Sequence, residues 1–161
     1  MEIQTVRLTI PEGANIIVGQ SHFIKTVEDL YEIMVTTVPG VRFGLAFNEA
    51  SGPCLIRCDG NDDGLVEVAV ENCRALGAGH VFTIVMLGAY PINVLDRIKQ
   101  CQEVCRIFCA TANPLEVVVA LSEQGAGVLG VIDGESPRGI ETEKDKQDRA
   151  RLLTEIIGYK R

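Results

Sequence analysis

Two histidines are the only imidazole groups of the chain, and both are candidates for nucleophilic or base chemistry. His80 follows the tripeptide GAG and opens the apolar run HVFTIVML, whereas His22 lies in GQSHF. Neutral imidazole is the form that can attack phosphorus. A histidine beside an apolar strand is also common as a core or edge residue with a satisfied hydrogen bond. The residues alone leave both interpretations open.

Polar side chains follow several apolar runs, at positions where binding sites often form. They are Asn48, Glu49 and Ser51 in FNEASG, Asn61 and Asp62 in DGNDDG, Asn93 in YPIN, and Thr111 and Asn113 in ATANP. Turn and helix-cap chemistry explains Asn, Asp and Ser at such positions without any ligand. The recurrence of these clusters at the ends of apolar runs nevertheless favours a site for a small polar ligand.

The stretch GAGVLGVIDG contains Gly125, Gly127 and Gly130 in the spacing G-x-G-x-x-G. A dinucleotide site needs this loop between a strand and a helix, because the helix N-terminus receives the pyrophosphate. The residues GVLGVID are instead typical of a strand. We therefore predict a hairpin in which Gly125 and Gly127 supply positive φ angles. Such a loop still brings a ligand close to backbone N–H groups, so both glycines are candidates for substrate binding.

The chain has six cysteines, but no two of them form a C-x-x-C pair. Cys54 and Cys58 are four residues apart, as are Cys101, Cys105 and Cys109 in succession, and Cys73 stands alone. With so few histidines, this spacing gives little support for a zinc cage. We predict buried, reduced thiols that act as small hydrophobic side chains.

Hydrophobic periodicity predicts the elements that position these residues. The expected strands are 6–10, 14–23, 41–50, 54–58, 80–87, 104–112, 115–121 and 127–133. The expected helices are 26–38 with Thr26 as N-cap, 63–76, 91–102 opening at Pro91, and about 141–157. The pattern predicts one α/β (or α+β) domain over residues 1–161, with a mixed β-sheet flanked by helices.

Charge and hydropathy exclude several classes of partner. The formal net charge is −7, and no basic cluster offsets it. Such a chain is repelled by a phosphate backbone, so we expect no nucleic-acid polymer as a partner. The N-terminal residues do not resemble a signal peptide, and the longest apolar run is shorter than the ~18 residues of a membrane span. We therefore expect a cytoplasmic protein with no membrane partner.

A series of short motifs occurs along the chain: FNEASG, GND, GAGHVF, PINVL, ATANP, GVLGVIDG and the terminal IGYK. Together they resemble the adenosine-specific kinase family, and the likeness extends over essentially the whole chain. The resemblance implies a compact α/β homo-oligomer that binds adenosine. It also implies phosphoryl transfer from ATP, with a histidine that carries the phosphate.

Carried onto this sequence, the resemblance favours His80 as the phosphate carrier and His22 as the second choice. A carboxylate, either Glu49 or Asp62, could accept the proton of the substrate hydroxyl or hold Mg²⁺. ATP is thus the expected phosphate donor and Mg²⁺ a potential companion, while the metal ligands stay unassigned. The chain has no G-x-x-x-x-G-K-[ST] loop, and a phosphohistidine relay would not need one.

Selectivity for adenine requires hydrogen bonds to the edge of the base. The amides of Asn48, Asn93 and Asn113 are suited to this role. The missing phosphate loop also favours an alternative, a non-catalytic sensor of adenosine or adenine nucleotides. A third interpretation is a structural oligomer whose charged tail binds a partner.

Overall fold

The computed structural model describes residues 1–161, which form two β-sheets and four α-helices. The strands are β1 (Glu2–Arg7), β2 (Asn15–Ser21), β3 (Arg42–Asn48), β4 (Ile56–Gly60), β5 (Val81–Leu87), β6 (Val104–Thr111), β7 (Leu115–Leu121) and β8 (Ala126–Asp133). The helices are α1 (Thr26–Thr37), α2 (Asp63–Leu76), α3 (Pro91–Gln100) and α4 (Glu143–Arg151). The predicted single α/β domain is confirmed. The expected single mixed sheet is wrong, since there are two sheets and every strand pairing within both is antiparallel. No helix has the length and apolar character needed to cross a bilayer.

The five-stranded sheet, in the order β4-β3-β5-β2-β6, forms the centre of the fold. Successive side chains along a strand point to opposite faces. Ile17 of β2 packs with residues of α1 and α3, whereas its neighbours Ile16 and Val18 pack with α2 and the other sheet. Both faces are therefore covered, which explains the continuous apolar run that predicted β5.

Helix α2 lies unusually close to β3. A Cβ at Gly44 would be 2.1 Å from the backbone nitrogen of Val66, so this approach requires glycine. The helix begins after Asp62, whose side chain accepts a hydrogen bond from the Leu65 N–H at 3.1 Å. It ends at Gly77, whose φ of 58° is left-handed. Both ends of α2 agree with the sequence prediction.

The second sheet has the order β1-β7-β8, and β7 and β8 form the predicted glycine-rich hairpin. The chain thus has no strand–loop–helix arrangement at this motif, and a dinucleotide loop is excluded. The predicted positive φ angles are wrong, since neither Gly125 nor Gly127 lies in the left-handed region. Gly127 lies within β8, and the turn is closed by Ser122, whose N–H donates to the Gly125 carbonyl at 2.8 Å.

Two predicted element boundaries are also wrong. β1 begins N-terminal to the predicted range 6–10 because its pairing partner β7 extends that far. The chain then leaves the sheet at Thr9, whose N–H and carbonyl are both hydrogen-bonded by the side chain of Asn72. In α1, Thr26 is the first helical residue rather than the N-cap, and its hydroxyl donates to the Phe23 carbonyl.

The C-terminal tail, residues 134–161, is almost entirely exposed. Thr142 caps α4 and exchanges hydrogen bonds with Asp145, yet no residue of α4 is buried. The predicted tail helix is divided, because Leu152–Ile156 forms a π-helical turn after α4. The tail therefore contributes little to the core of its own chain.

Candidate active site

One end of the five-stranded sheet brings together the C-terminal ends of β2 and β3 and the N-terminal ends of β4, β5 and β6. This follows from the antiparallel register, in which Ser21 lies opposite Val104 and Asn48 lies opposite Ile56. His80 directly precedes β5, and His22 directly follows β2. We term this edge of the sheet the histidine end.

The backbone of His80 is held from both sides. Its N–H donates to the Asn48 carbonyl at 2.7 Å, and its carbonyl accepts from the Ser21 N–H at 3.0 Å. Its φ is 61°, a left-handed angle that non-glycine residues rarely adopt. The ring stacks on Phe47 with centroids 5.6 Å apart and an interplanar angle of 17°. Its Nε2 lies 3.3 Å from Oε1 of Glu49, and 29% of the side chain is exposed.

Glu49 connects the histidine to the adjoining loop. Its Oε1 also accepts from the Ala50 N–H at 2.9 Å and the Ser51 hydroxyl at 3.3 Å. Burial disfavours the charged carboxylate, but the hydrogen bonds from Ala50, His80 and Ser51 outweigh this and lower the pKa of Glu49. Its Oε2 is buried and has no hydrogen-bond partner. The side chain is therefore an ionised group with one free acceptor.

A cavity of about 770 Å³ adjoins this pair. Its walls come from the end of β3, the loop after it, the end of α2 and the β7–β8 hairpin. The predicted site residues among its lining are Asn48, Glu49, Gly125 and Gly127. The volume lies within the range of small-molecule sites. The hairpin glycines thus reach the same cavity as the glutamate that holds His80.

Asn48 is buried and serves partly as a structural residue. Its Nδ2 donates to the Cys73 carbonyl at 2.8 Å and to the Ala78 carbonyl at 3.0 Å. These bonds tie the end of β3 to the end of α2. Its Oδ1 is buried without a partner. Asn48 and Glu49, which both line the cavity, therefore each carry a buried acceptor oxygen without a hydrogen-bond partner.

Five of the predicted site residues lie at the opposite end of the five-stranded sheet, and each is hydrogen-bonded within the fold. Asn61 bonds Phe43 and Val41, Asp62 bonds Leu65 and Arg42, Asn93 bonds Tyr90, and Thr111 and Asn113 both bond Asp133. The strand β5 has seven residues, so the two ends are about 20 Å apart. Within one chain these five side chains do not share a site with His80.

A second cavity, of about 830 Å³, lies near this opposite end, between α3 and the end of the tail. Thr111 is the one predicted site residue in its wall, beside the aromatic rings of Tyr90 and Tyr159. The cavity is thus separate from the histidine–glutamate pair.

Arg57 of β4 is a residue that the sequence analysis missed. Its guanidinium pairs with Glu28 of α1 and donates to the Ile24 carbonyl. The hydrogen bond to Glu28 is the main cause that raises the pKa of Arg57, and the charge of Glu49 adds to it. The contacts join separate elements, so no local pattern could have revealed them.

A group of ionisable side chains occupies the other side of the histidine end, and we term it the Glu103 cluster: Lys25, Asp29, Cys101 and Glu103. Oε2 of Glu103 accepts from the Cys101 thiol at 3.0 Å and lies 4.0 Å from Nζ of Lys25. Lys25 donates to Asp29 at 2.8 Å. The exposed His22 adjoins the cluster through its N–H, which donates to the Glu103 carbonyl at 3.0 Å.

Taken together, the fold and the site define a small α/β protein with a histidine–glutamate pair beside a cavity of ligand size. The family model described as adenosine specific kinase matches residues 6–160, so the chain belongs to the adenosine-specific kinase family. The sequence resemblance is thereby confirmed. The chain is also similar to the crystal structure of the PH1918 protein from Pyrococcus horikoshii OT3, with 46% identity, a TM-score of 0.94 and coverage of 99% of this chain and 98% of that chain. No curated protein matches the chain.

Proposed function

We propose that this protein is an adenosine-binding phosphotransferase that moves a phosphoryl group from ATP to adenosine through a phosphohistidine at His80. Family membership supports an adenosine-related kinase function. The observation that carries the residue assignment is the contact of Nε2 of His80 with a carboxylate that lines the cavity. Neither histidine lines a cavity itself. His22, the second choice, has no side-chain hydrogen bond, whereas His80 contacts the cavity-lining Glu49.

The Glu49 contact selects the nucleophilic nitrogen. The ionised carboxylate can only accept a hydrogen bond, so it favours the tautomer with hydrogen on Nε2. The lone pair is then on Nδ1, which has no hydrogen-bond partner within the chain. Nδ1 is therefore the atom that attacks phosphorus in this proposal.

The proposed reaction has two steps, phosphorylation of His80 by ATP and transfer of the phosphoryl group to adenosine. In the first, the Nδ1 lone pair attacks the γ-phosphorus of ATP; the N–P bond forms, the P–O bond breaks and ADP leaves. The charge of Glu49 stabilises the imidazolium character that develops on the ring. In the second, a hydroxyl of adenosine attacks phosphorus, the P–N bond breaks and AMP leaves. The hydroxyl proton passes to Oε2 of Glu49 and then to solvent.

Unpaired acceptors in the cavity wall support the nucleoside assignment. A buried acceptor without a partner is costly, and a ligand donor would satisfy it. Oδ1 of Asn48 is suited to the amino group of adenine, and Gly125 and Gly127 line the same cavity.

The relay is tested by incubating the protein with γ-labelled ATP and digesting it under alkaline conditions, which preserve phosphohistidine. We expect label on His80, loss of label in His80→Asn, and retained label in the matched control His22→Asn. Phosphohistidine isomers are separated by mass spectrometry against Nδ1 and Nε2 standards, and we expect the Nδ1 isomer. Label that persists in His80→Asn would remove this residue from the mechanism.

The same preparation separates an enzyme from the sensor alternative. Mixed with ATP and adenosine, an enzyme forms AMP and ADP in amounts well above the protein concentration. Saturable binding of adenosine with no AMP formed would favour the sensor.

A further inference from the structure

The Glu103 cluster contains two carboxylates close together, and Lys25 hydrogen-bonds only one of them. The ligand atoms of Asp29, Cys101 and Glu103 all lie within 4.8 Å of one another. Two carboxylates at this distance repel each other unless a proton or a cation lies between them. Lys25 hydrogen-bonds Asp29 at 2.8 Å, but its Nζ is 4.0 Å from Glu103, beyond hydrogen-bond distance. The lysine therefore engages one carboxylate and leaves the other incompletely paired.

A second, independent observation is the state of the Glu103 carboxylate. Its side chain is only 1% exposed, and Oε1 is buried with no hydrogen-bond partner. Buried charges in proteins are normally paired or bound to a metal. A buried carboxylate oxygen without a partner is typical of a metal ligand in the ion-free form of a protein.

We propose that the Glu103 cluster binds a divalent cation of the zinc type through Asp29, Cys101 and Glu103, with the ammonium of Lys25 displaced to solvent. The three protein ligands leave the fourth tetrahedral position to water. A thiolate among the ligands favours zinc-like ions over Mg²⁺ or Ca²⁺.

Binding of the ion releases one proton. Without an ion the Cys101 thiol donates a hydrogen bond to Oε2 of Glu103 at 3.0 Å, so it is protonated until an ion displaces that proton. The ion binds the thiolate, and the proton goes to solvent. Two carboxylates, one thiolate and one divalent cation then leave a net charge of −1, the same as in the ion-free cluster with its protonated lysine.

The site would connect elements that are distant in sequence. Asp29 lies in the first turn of α1, and Cys101 and Glu103 lie between α3 and β6. The loop that precedes α1 begins at His22, whose N–H donates to the Glu103 carbonyl. A bound ion would therefore stabilise the histidine end and raise the unfolding temperature, by an amount that grows with the logarithm of the ion concentration above Kd.

The experiment uses the full chain, stripped of metal and reduced, titrated with Co²⁺ as a spectroscopic probe. We expect a thiolate-to-cobalt charge-transfer band that saturates at one ion per chain. Cys101→Ser should abolish the band and weaken binding by at least ~100-fold, since even residues that only support a ligand change affinity by 10–100-fold. A band that persists in Cys101→Ser, or no band in the unmodified chain, would overturn the proposal.

Two further variants test whether Co²⁺ binds at the Glu103 cluster and not at another thiol of the chain. Cys105→Ser is the matched control, because this exposed thiol approaches the cluster only through a backbone carbonyl at 3.8 Å; it should retain the band. Lys25→Met removes the competing ammonium and should tighten Co²⁺ binding severalfold. Zn²⁺ should raise the unfolding temperature of the unmodified chain and of Cys105→Ser, but not of Cys101→Ser. Equal Zn²⁺ effects in all three proteins would count against the site.

Discussion

At the scale of the residue, His80 adopts a backbone angle that is unfavourable for its side chain and is stabilised by its surroundings. A left-handed φ in a non-glycine residue costs of order 1–3 kcal/mol and persists only where neighbouring contacts enforce it. Here two backbone hydrogen bonds and the ring of Phe47 provide those contacts. The result is an imidazole fixed against Glu49, with one nitrogen engaged and the other free.

Substitution of Glu49 should separate the two half-reactions. Glu49→Gln keeps an acceptor for the Nε2 hydrogen but removes the charge and the proton acceptor. We expect Glu49→Gln still to incorporate label from ATP, but more slowly because the charge that stabilises the imidazolium is lost, while transfer to adenosine falls further, by about 10²–10⁴-fold. Glu49→Ala should reduce both steps, because the ring loses its orientation. Label incorporation and AMP formation are measured separately; unchanged AMP formation in Glu49→Gln would contradict the role assigned to this carboxylate.

The pair of Glu28 and Arg57 predicts how stability depends on pH. The hydrogen bond from Arg57 holds the pKa of Glu28 below its ordinary value of 4.5. A carboxyl with a depressed pKa in the folded state stabilises the fold above pH 4.5 and loses this contribution as pH falls through the folded-state pKa. Glu28→Gln should therefore be less stable than the unmodified chain at neutral pH, and the difference should vanish in acid. Urea unfolding at several pH values measures this; a difference independent of pH would contradict the assignment.

At the scale of the element, the antiparallel sheet explains why the predicted polar clusters do not converge. Hydrophobic periodicity is local, so the sequence predicted most helices and strands, including both ends of α2. Strand direction is set by long-range pairing, and neighbouring antiparallel strands end at opposite edges. FNEASG follows β3 at the histidine end, whereas YPIN follows β5 at the other end. Glu49 and His80 could be proposed individually from the sequence, but their contact depends on this pairing.

The loop before β5 should be sensitive to a single added methyl group. A Cβ at Gly79 would lie 2.9 Å from Cβ of Ala50, next to Glu49. Gly79→Ala should displace the Glu49 loop, weaken adenosine binding and phosphorylation, and cost about 1–3 kcal/mol of unfolding free energy. The control is Gly130→Ala, where an added Cβ meets no atom within 4 Å. Calorimetric binding together with urea unfolding checks this, and equal behaviour of the two variants would contradict it.

At the scale of the whole molecule, the tail packs only loosely on its own chain, since most of its apolar side chains stay exposed although its end lies near α3. α4 has nine residues, none buried, and isolated helices of this length are marginal in water. The apolar side chains that follow it are exposed, among them Leu152, Ile156 and Tyr159. We infer that a second copy of this chain covers them, as expected for a homo-oligomer.

This inference predicts a coupling between tail structure and assembly. Sedimentation of the full chain should give a mass that is a multiple of 17.5 kDa. Ile156→Lys places a charge among the exposed apolar residues, so it should reduce the mass towards one chain and lower the helical circular dichroism, because an unpacked α4 melts. Lys144→Ala, on the exposed polar surface of α4, should change neither quantity. A monomer with an intact helical signal would show instead that the tail folds without a partner, and the chain would then act as a single subunit.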